Sequence, residues 1–406
     1  MRRILFGFLI AITLTVVVTG QTQKEWTDQA QIEFLKKHWR IPIPLQGKPP
    51  KGWSESEVSL APENCGGCHP RQFEDWRTTV HSRAVGPGLL GQMPELLRNE
   101  PTTAEVCYSC HAPLSEQQEM ISVAGRFRRN SEFDPALQSK GLTCAACHVR
   151  NHRRFGPPRR DGSLESMKPR AQLPHGDATR TPAFERAEFC KSCHQFDADG
   201  FALNGKPLEN TYNEWKDSSY PAEGLQCQQC HMPDRRHLWR GIHDPEMVES
   251  GVDVELHLNQ QTYEVGDKLE ATLTLTNRRV GHYFPTYVTP KVVLRMELVG
   301  PNSEVLPDTL KEDVVGRQVT LNLDREIADT RIPPKRKHTF NYLRTIGRSG
   351  LKLHVSVIVY PDDFYARFYE AKLSGVLSTV KRRHFSQALA DTRASVYKLF
   401  DTKIPL

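Results

Sequence analysis

The chain has 406 residues, 38% of them hydrophobic and 25% charged, with a formal net charge of +6. That length accommodates two domains, and a mean hydropathy of −0.54 is low for a protein of this size, which sets aside a core built from aliphatic side chains alone.

The amino terminus reads MRRILFGFLIAITLTVVVTGQ, with Arg2 and Arg3 ahead of an apolar run from Ile4 to about Val18 and small residues at Thr19 and Gly20. This pattern predicts a secretory signal peptide over 1–20, cleaved before Gln21, and a periplasmic or other extracytoplasmic destination. The run is shorter than the roughly 20 residues of a bilayer span, so membrane contact is expected only if the segment is retained.

From Gln21 to about Ser250 the sequence is rich in proline, glycine and short helical pieces. It carries five copies of Cys-x-x-Cys-His: Cys65, Cys68 and His69; Cys107, Cys110 and His111; Cys144, Cys147 and His148; Cys190, Cys193 and His194; Cys227, Cys230 and His231. These copies use all ten cysteines. Given the histidine content, five independent pairs would all be followed by histidine with a probability on the order of 10⁻⁷. Two thiols at this spacing add across the vinyl groups of a protoporphyrin and leave the adjacent imidazole beneath the iron as its proximal ligand. Five covalent haems c are therefore expected. A disulfide framework fits poorly, because closing a two-residue gap gives strained rings that brace almost nothing. Closed zinc sites give histidine no reason to follow every pair. Motif intervals of 42, 37, 46 and 37 residues are too irregular for a solenoid.

Five irons with both axial positions filled need five further ligands. Methionine is scarce, whereas this region holds His38, His81, His152, His175, His237 and His243 beyond the proximal five. His152 follows His148 at i+4; in a helix both imidazoles share a face, so His152 is expected to reach a neighbouring haem. His81 lies in an amphipathic stretch with Trp76, His175 in the loop LPHGD, and His237 and His243 beside the last motif. These five are the candidate distal ligands, and His38, within KKHWR, reads as a surface residue. The basic runs Arg126, Arg128 and Arg129, Arg153 and Arg154, and Arg159 and Arg160 read as partners for haem propionates or as solvated loops. An exported haem protein gives no support to nucleic acid as a partner.

From Val252 the period changes to two. VDVELHL at 252–258, LEATLTLT at 269–276, VVLRMELV at 292–299 and LKLHVSVIVY at 351–360 alternate apolar with polar residues and are separated by turn residues such as Gly266, Asp267, Gly300 and Pro301. The pattern predicts an antiparallel β-sandwich of immunoglobulin-like size over 251–361. Helices are expected over 362–406, one opened by Pro361 and Asp362 and ending near Gly375, and one over 384–400 with Phe385, Leu389, Val396 and Phe400 on one face. The fold class is multidomain α+β, with a mainly helical and irregular pentahaem domain over 21–250 ahead of the sandwich. His282, in GHYFPT, lies outside the haem region, in a turn able to bend over an exposed haem edge.

The segments CGGCHPRQFEDWRTTVHSRA (65–84), TYNEWKDSSYPAEGLQCQQCHMP (211–233) and HLWRGIHDPEM (237–247) carry a family likeness. They resemble multihaem cytochromes c related to the tetrahaem cytochrome of ammonia oxidisers and to octahaem hydroxylamine oxidoreductases. The resemblance spans 60–250 and implies distal ligation by His81, His237 and His243. NRRVGHYFPTYVTPKVVLRMEL resembles the carboxy-terminal immunoglobulin-like modules attached to such cytochromes. The chain departs from the best-known members in having five motifs, and it lacks the Cys-x-x-Cys-Lys site of pentahaem nitrite reductases.

Two function classes stay open. In the first the chain carries single electrons through closely spaced, mostly bis-histidine haems between redox partner proteins or a membrane electron-transfer complex. In the second one iron keeps an open axial position, and the chain is an oxidoreductase acting on a small nitrogen or sulfur compound. The supply of histidines favours the first.

Overall fold

The computed structural model describes residues 29–165 and 173–406; the expected signal peptide and its cleavage point lie outside them. Alternating sequence builds the C-terminal half into eight strands: β1 (Val252–Leu258), β2 (Lys268–Asn277), β3 (Lys291–Val299), β4 (Lys311–Val319), β5 (Glu326–Asp329), β6 (Lys337–Thr345), β7 (Lys352–Tyr360) and β8 (Tyr397–Pro405). They form two antiparallel sheets, five strands in the order β5-β4-β3-β7-β8 and three in the order β6-β2-β1. Leu269, Ala271, Leu273 and Leu275 of β2 and Leu353, Val355, Val357 and Val359 of β7 fill the space between them, none more than 1% exposed. Strand β3 is buried on both faces, which is why VVLRMELV alternates less cleanly; its buried Glu297 is paired with His354 at 2.9 Å.

The C-terminal segment departs from expectation at its end. Helices α4 (Asp363–Leu373) and α5 (Thr379–Ala394) form, but the second stops at Ala394, and residues 397–405 return as β8 along the edge of β7. YKLFDTKIP alternates and is rich in strand-forming side chains, and pairing it covers an otherwise open edge of β7. Phe385 is buried as expected, whereas Val396 and Phe400 lie beyond the helix.

Residues 29–250 hold helices α1 (Gln29–His38), α2 (Pro87–Asn99) and α3 (Pro101–His111); the other α-helices described there run four to eight residues. Many open on proline, whose fixed φ and missing N–H suit the first turn of a helix. The pair α4 and α5 packs back onto α2, where a Cβ on Gly88 would lie 1.9 Å from the Tyr369 hydroxyl and one on Gly91 2.7 Å from the Phe385 ring. Only glycine permits that approach.

Buried ion pairs lock the sandwich to the first region. Arg331 donates to Glu214 at 2.6 Å with both side chains 3% exposed, and Glu214 also accepts from Tyr283 N and Thr286 Oγ1. Arg317, fully buried, pairs with Glu326 at 2.7 Å and donates to the carbonyls of Leu203, Lys206 and Pro207. Such pairs owe their stability to complete pairing, and removing one member strands the other. Arg331→Met should therefore lower unfolding stability by about 3–5 kcal/mol in denaturant titrations; a loss below about 1 kcal/mol, the range of exposed pairs, would show that the junction is solvated.

Candidate cofactor cavity

Cysteines at i and i+3 and a histidine at i+4 share one face only on a helical turn. Four of the motifs are built this way, since α3 and the helices Cys144–His148, Glu188–His194 and Cys227–His231 all end on their histidine. In the first copy the helix Pro62–Gly66 ends sooner, and Pro70 keeps His69 outside the helical region at φ −119° and ψ 56°. All ten thiols are free.

The faces of the first four motifs open on one continuous cavity of about 2340 Å³. Single-ligand pockets hold roughly 300–1,000 Å³, so this space suits several bulky groups side by side. Its lining includes every cysteine and histidine of the first four motifs, with Gln228 and Gln229 of the fifth and Met232 just after it. His111 lies deep in the fold and still faces open space. Thiols of different motifs adjoin one another, Cys65 with Cys144, Cys110 with Cys193, and Cys190 with Cys227. The bond to the partner thiol, and then burial, push Cys144, Cys190 and Cys193 up. The fourth motif thus adjoins the second and fifth, and Cys147 brings the third within electrostatic reach.

Hydrogen bonding sorts the histidines. A neutral imidazole that donates from Nδ1 keeps the Nε2 lone pair for another partner. Nδ1 donates to Ala84 O from His111 (2.6 Å), to Phe155 O from His148 (2.8 Å), to Arg240 O from His231 (2.6 Å), to Arg235 O from His237 (3.1 Å) and to Tyr283 O from His282 (2.9 Å). His175 does the same more loosely with Asp177 O at 3.4 Å.

Three pairs of rings stand at nearly one spacing: His81 and His194 at 6.3 Å, His148 and His237 at 6.2 Å, and His231 and His282 at 6.4 Å between centroids, with interplanar angles of 55°, 33° and 9°. A metal bonded to two opposed imidazole nitrogens at about 2 Å each sets the ring centres about 6.3 Å apart. The cavity therefore fits iron porphyrin in its thiols, in its imidazole spacing and in its volume. Burial, reinforced by the neighbouring imidazoles, pulls His81 down to about 3 and His148 and His231 to about 4, which favours the neutral form that binds metals.

Each expected distal histidine has a definite place. His81 is fixed by Gly141, whose φ of +63° brings its Cα so close that a Cβ would lie 2.7 Å from His81 O. His237 is held by buried Asp75, which accepts from His237 N at 2.9 Å and pairs with Arg236. His175 lines the cavity within electrostatic reach of His69, on a left-handed residue (φ 44°) whose N–H donates to Glu57.

His243 also lines the cavity, but its Nε2 donates to Asp362 at 2.9 Å. His152 stands outside: the helix ends at His148, and Asn151 and His152, both at positive φ, form the two-residue turn between strands Val149–Arg150 and Arg153–Gly156. Its Nε2 donates to Gly47 O, so the i+4 helical relation expected for it does not form.

His38 is not on the surface. It is 3% exposed among Phe34, Trp39, Phe155, Phe184 and Phe189, and its Nε2 donates to Cys147 O. Among the basic runs, Arg154 and Arg160 line the cavity, while Arg126, Arg128 and Arg129 lie on an exposed hairpin. Arg180, which the sequence did not single out, lines it with a buried Nε that has no partner among the described residues. The pairing of His282 also went unread; its one signal was a histidine set between glycine and aromatic residues in a turn of an otherwise alternating region.

Residues 64–132, which include the first two motifs, match the family model of cytochrome c554 and c-prime. The fold is similar to that of a penta-heme cytochrome c552 from Thermochromatium tepidum, at 17% identity over 86% of this chain and 99% of that chain, with a TM-score of 0.57. Far more distant are a structural genomics target, SoR45 (9% identity over 39% of this chain and 89% of that one, TM-score 0.18), and the sporulation control protein Spo0M from Bacillus subtilis (12%, 27% and 43%, TM-score 0.12). No curated protein matches.

Burial first, and then Arg150, pull His38 down to about 3. Between that value and the ordinary 6.5 the unfolded chain binds a proton that the folded chain refuses, so stability is complete above about pH 6.5 and falls as pH drops. His38→Phe, which keeps a ring in the aromatic cluster, should remove about 2 kcal/mol of the loss between pH 7 and pH 5 in denaturant midpoints. Parallel curves for the two proteins would show that His38 is protonated in the fold.

Proposed function

We propose that the chain is an extracytoplasmic pentahaem cytochrome c that passes single electrons between redox partner proteins or to a membrane electron-transfer complex. The observation that carries this reading is the recurrence of opposed imidazoles 6.2–6.4 Å apart beside paired free thiols. Haem c supplies reversible one-electron chemistry when bound. The cysteine pairs hold it by thioether bonds, and His69, His111, His148, His194 and His231 serve as proximal ligands. His81 and His237, whose rings stand at the ligand spacing from those of His194 and His148, would be further ligands, and His175, near His69, would be another. Two neutral nitrogen ligands favour low potentials relative to a methionine. Arg154, Arg160 and Arg180 balance propionate charge inside the cavity.

The contacts between motifs support conduction. Thiol pairs link the first motif to the third, the second to the fourth and the fourth to the fifth, so the Cys190–His194 segment joins two neighbours, with Cys147 of the third motif within electrostatic reach. A contiguous cavity of this kind would keep redox centres close. Among the described residues no helix is long and apolar enough to cross a membrane.

One observation favours a second reading, an oxidoreductase with one open iron acting on a small nitrogen or sulfur compound. Among the described residues no imidazole ring stands at the ligand spacing from that of His69 or His111, and His243 has committed its Nε2 to Asp362. Ferric spectra separate the readings: low-spin signals alone support the carrier, and a high-spin signal that shifts with cyanide or nitric oxide supports the enzyme.

The cofactor reading itself is tested by intact mass after expression in a host that attaches haem c. Five covalent additions per chain are expected, and four for the double variant Cys144→Ala, Cys147→Ala. A colourless wild-type chain of unmodified mass would end the proposal.

A further inference from the structure

We infer that His282, carried by the β-sandwich, is the distal ligand of the haem attached at Cys227 and Cys230, so that docking of the sandwich completes the fifth metal centre. The inference rests on the pentahaem reading. Its geometric basis is independent of the sequence motifs, because His282 belongs to the loop between β2 and β3 and not to the motif-bearing region.

The rings of His231 and His282 lie 6.4 Å apart and are only 9° from parallel, the most nearly parallel of the three facing pairs. Both spend Nδ1 on a backbone carbonyl, His231 on Arg240 O and His282 on Tyr283 O. Each Nε2 therefore keeps its lone pair, and binding iron requires no proton to leave. His38, His152 and His243 do the opposite and spend Nε2 on a protein oxygen.

The surrounding loop is held more firmly than an ordinary turn. Asn277 donates to His282 O at 2.9 Å and to Ile332 O at 3.0 Å while accepting from Val280 N. Tyr283 N donates to Glu214, whose partner is buried Arg331, and the Arg331 guanidinium lies over the Tyr283 ring. Gly281 lies against Trp215 and Tyr220, close enough that a Cβ there would meet them at 3.5 and 3.6 Å. A buried ion pair is a poor source of net stability but a good device for fixing register. Here the register it fixes is that of one imidazole facing another across the junction between the two halves of the chain.

The test is His282→Ala in the haem-loaded full chain, with His257→Ala, an exposed position on β1, as control. Mass must first show five covalent haems in the wild type; if it shows none, the pentahaem reading has failed and the inference falls with it. With five haems present, the alanine variant should convert one haem equivalent to a high-spin ferric signal, and added imidazole should restore it to low spin. His257→Ala should leave every signal unchanged. If His282→Ala retains five haems with all the wild-type low-spin signals, His282 is not a ligand, and the pentahaem reading stands without it. Should the alanine variant not accumulate, His282→Met decides: one midpoint potential rises and a methionine–iron charge-transfer band appears if the position ligates, and neither changes if it does not.

Discussion

A neutral imidazole has one nitrogen lone pair to give, and in this fold the backbone decides which histidines keep it. Where a carbonyl takes the Nδ1 proton, as at His111, His148, His231, His237 and His282, Nε2 remains available to a metal. Where Nε2 itself is bonded, as at His38, His152 and His243, the ring has become part of the packing. Much else follows from this division. Short helices ending on their histidines set the proximal rings, and Asp75, Gly141 and Asn277 hold the backbone around three opposed ones.

The first region needs its cofactors for shape as much as for chemistry. Its apolar clusters are small and separate, such as Ile43 with Leu114, Leu137 and Val149, or Val85 with Met93 and Tyr108, whereas the sandwich has one large core between its sheets. A polypeptide with few long helices and a cavity of about 2340 Å³ cannot close on itself by side-chain burial alone. Porphyrins seated against these clusters would supply the missing apolar volume, which explains a low mean hydropathy in a folded chain of this length.

Local features were legible in the sequence. The Cys-x-x-Cys-His turns, the strand VDVELHL and the inward alternation of β2 and β7 depend on neighbours a few residues away, and each formed where the pattern placed it. Features that depend on distant partners were not. Nothing near His152 announces that Asn151 and His152 make a tight hairpin turn, and the helical spacing from His148 was misleading because the helix ends there. KKHWR looks like surface until Phe155, Phe184 and Phe189 converge on His38. The last strand was hidden by an adjacent helical pattern, and it forms because β7 offers an edge. Ligand pairing is the extreme case, since His81 and His194, or His231 and His282, meet only once the whole chain has folded.

The idea that this chain folds around iron held between opposed imidazoles is tested most directly by anomalous diffraction at the iron edge from crystals of the matured protein. Five iron positions per chain are expected, one beside each Cys-x-x-Cys-His motif, three of them midway between the rings of His81 and His194, His148 and His237, and His231 and His282. Fewer iron positions, or iron lying off those three lines, would contradict it.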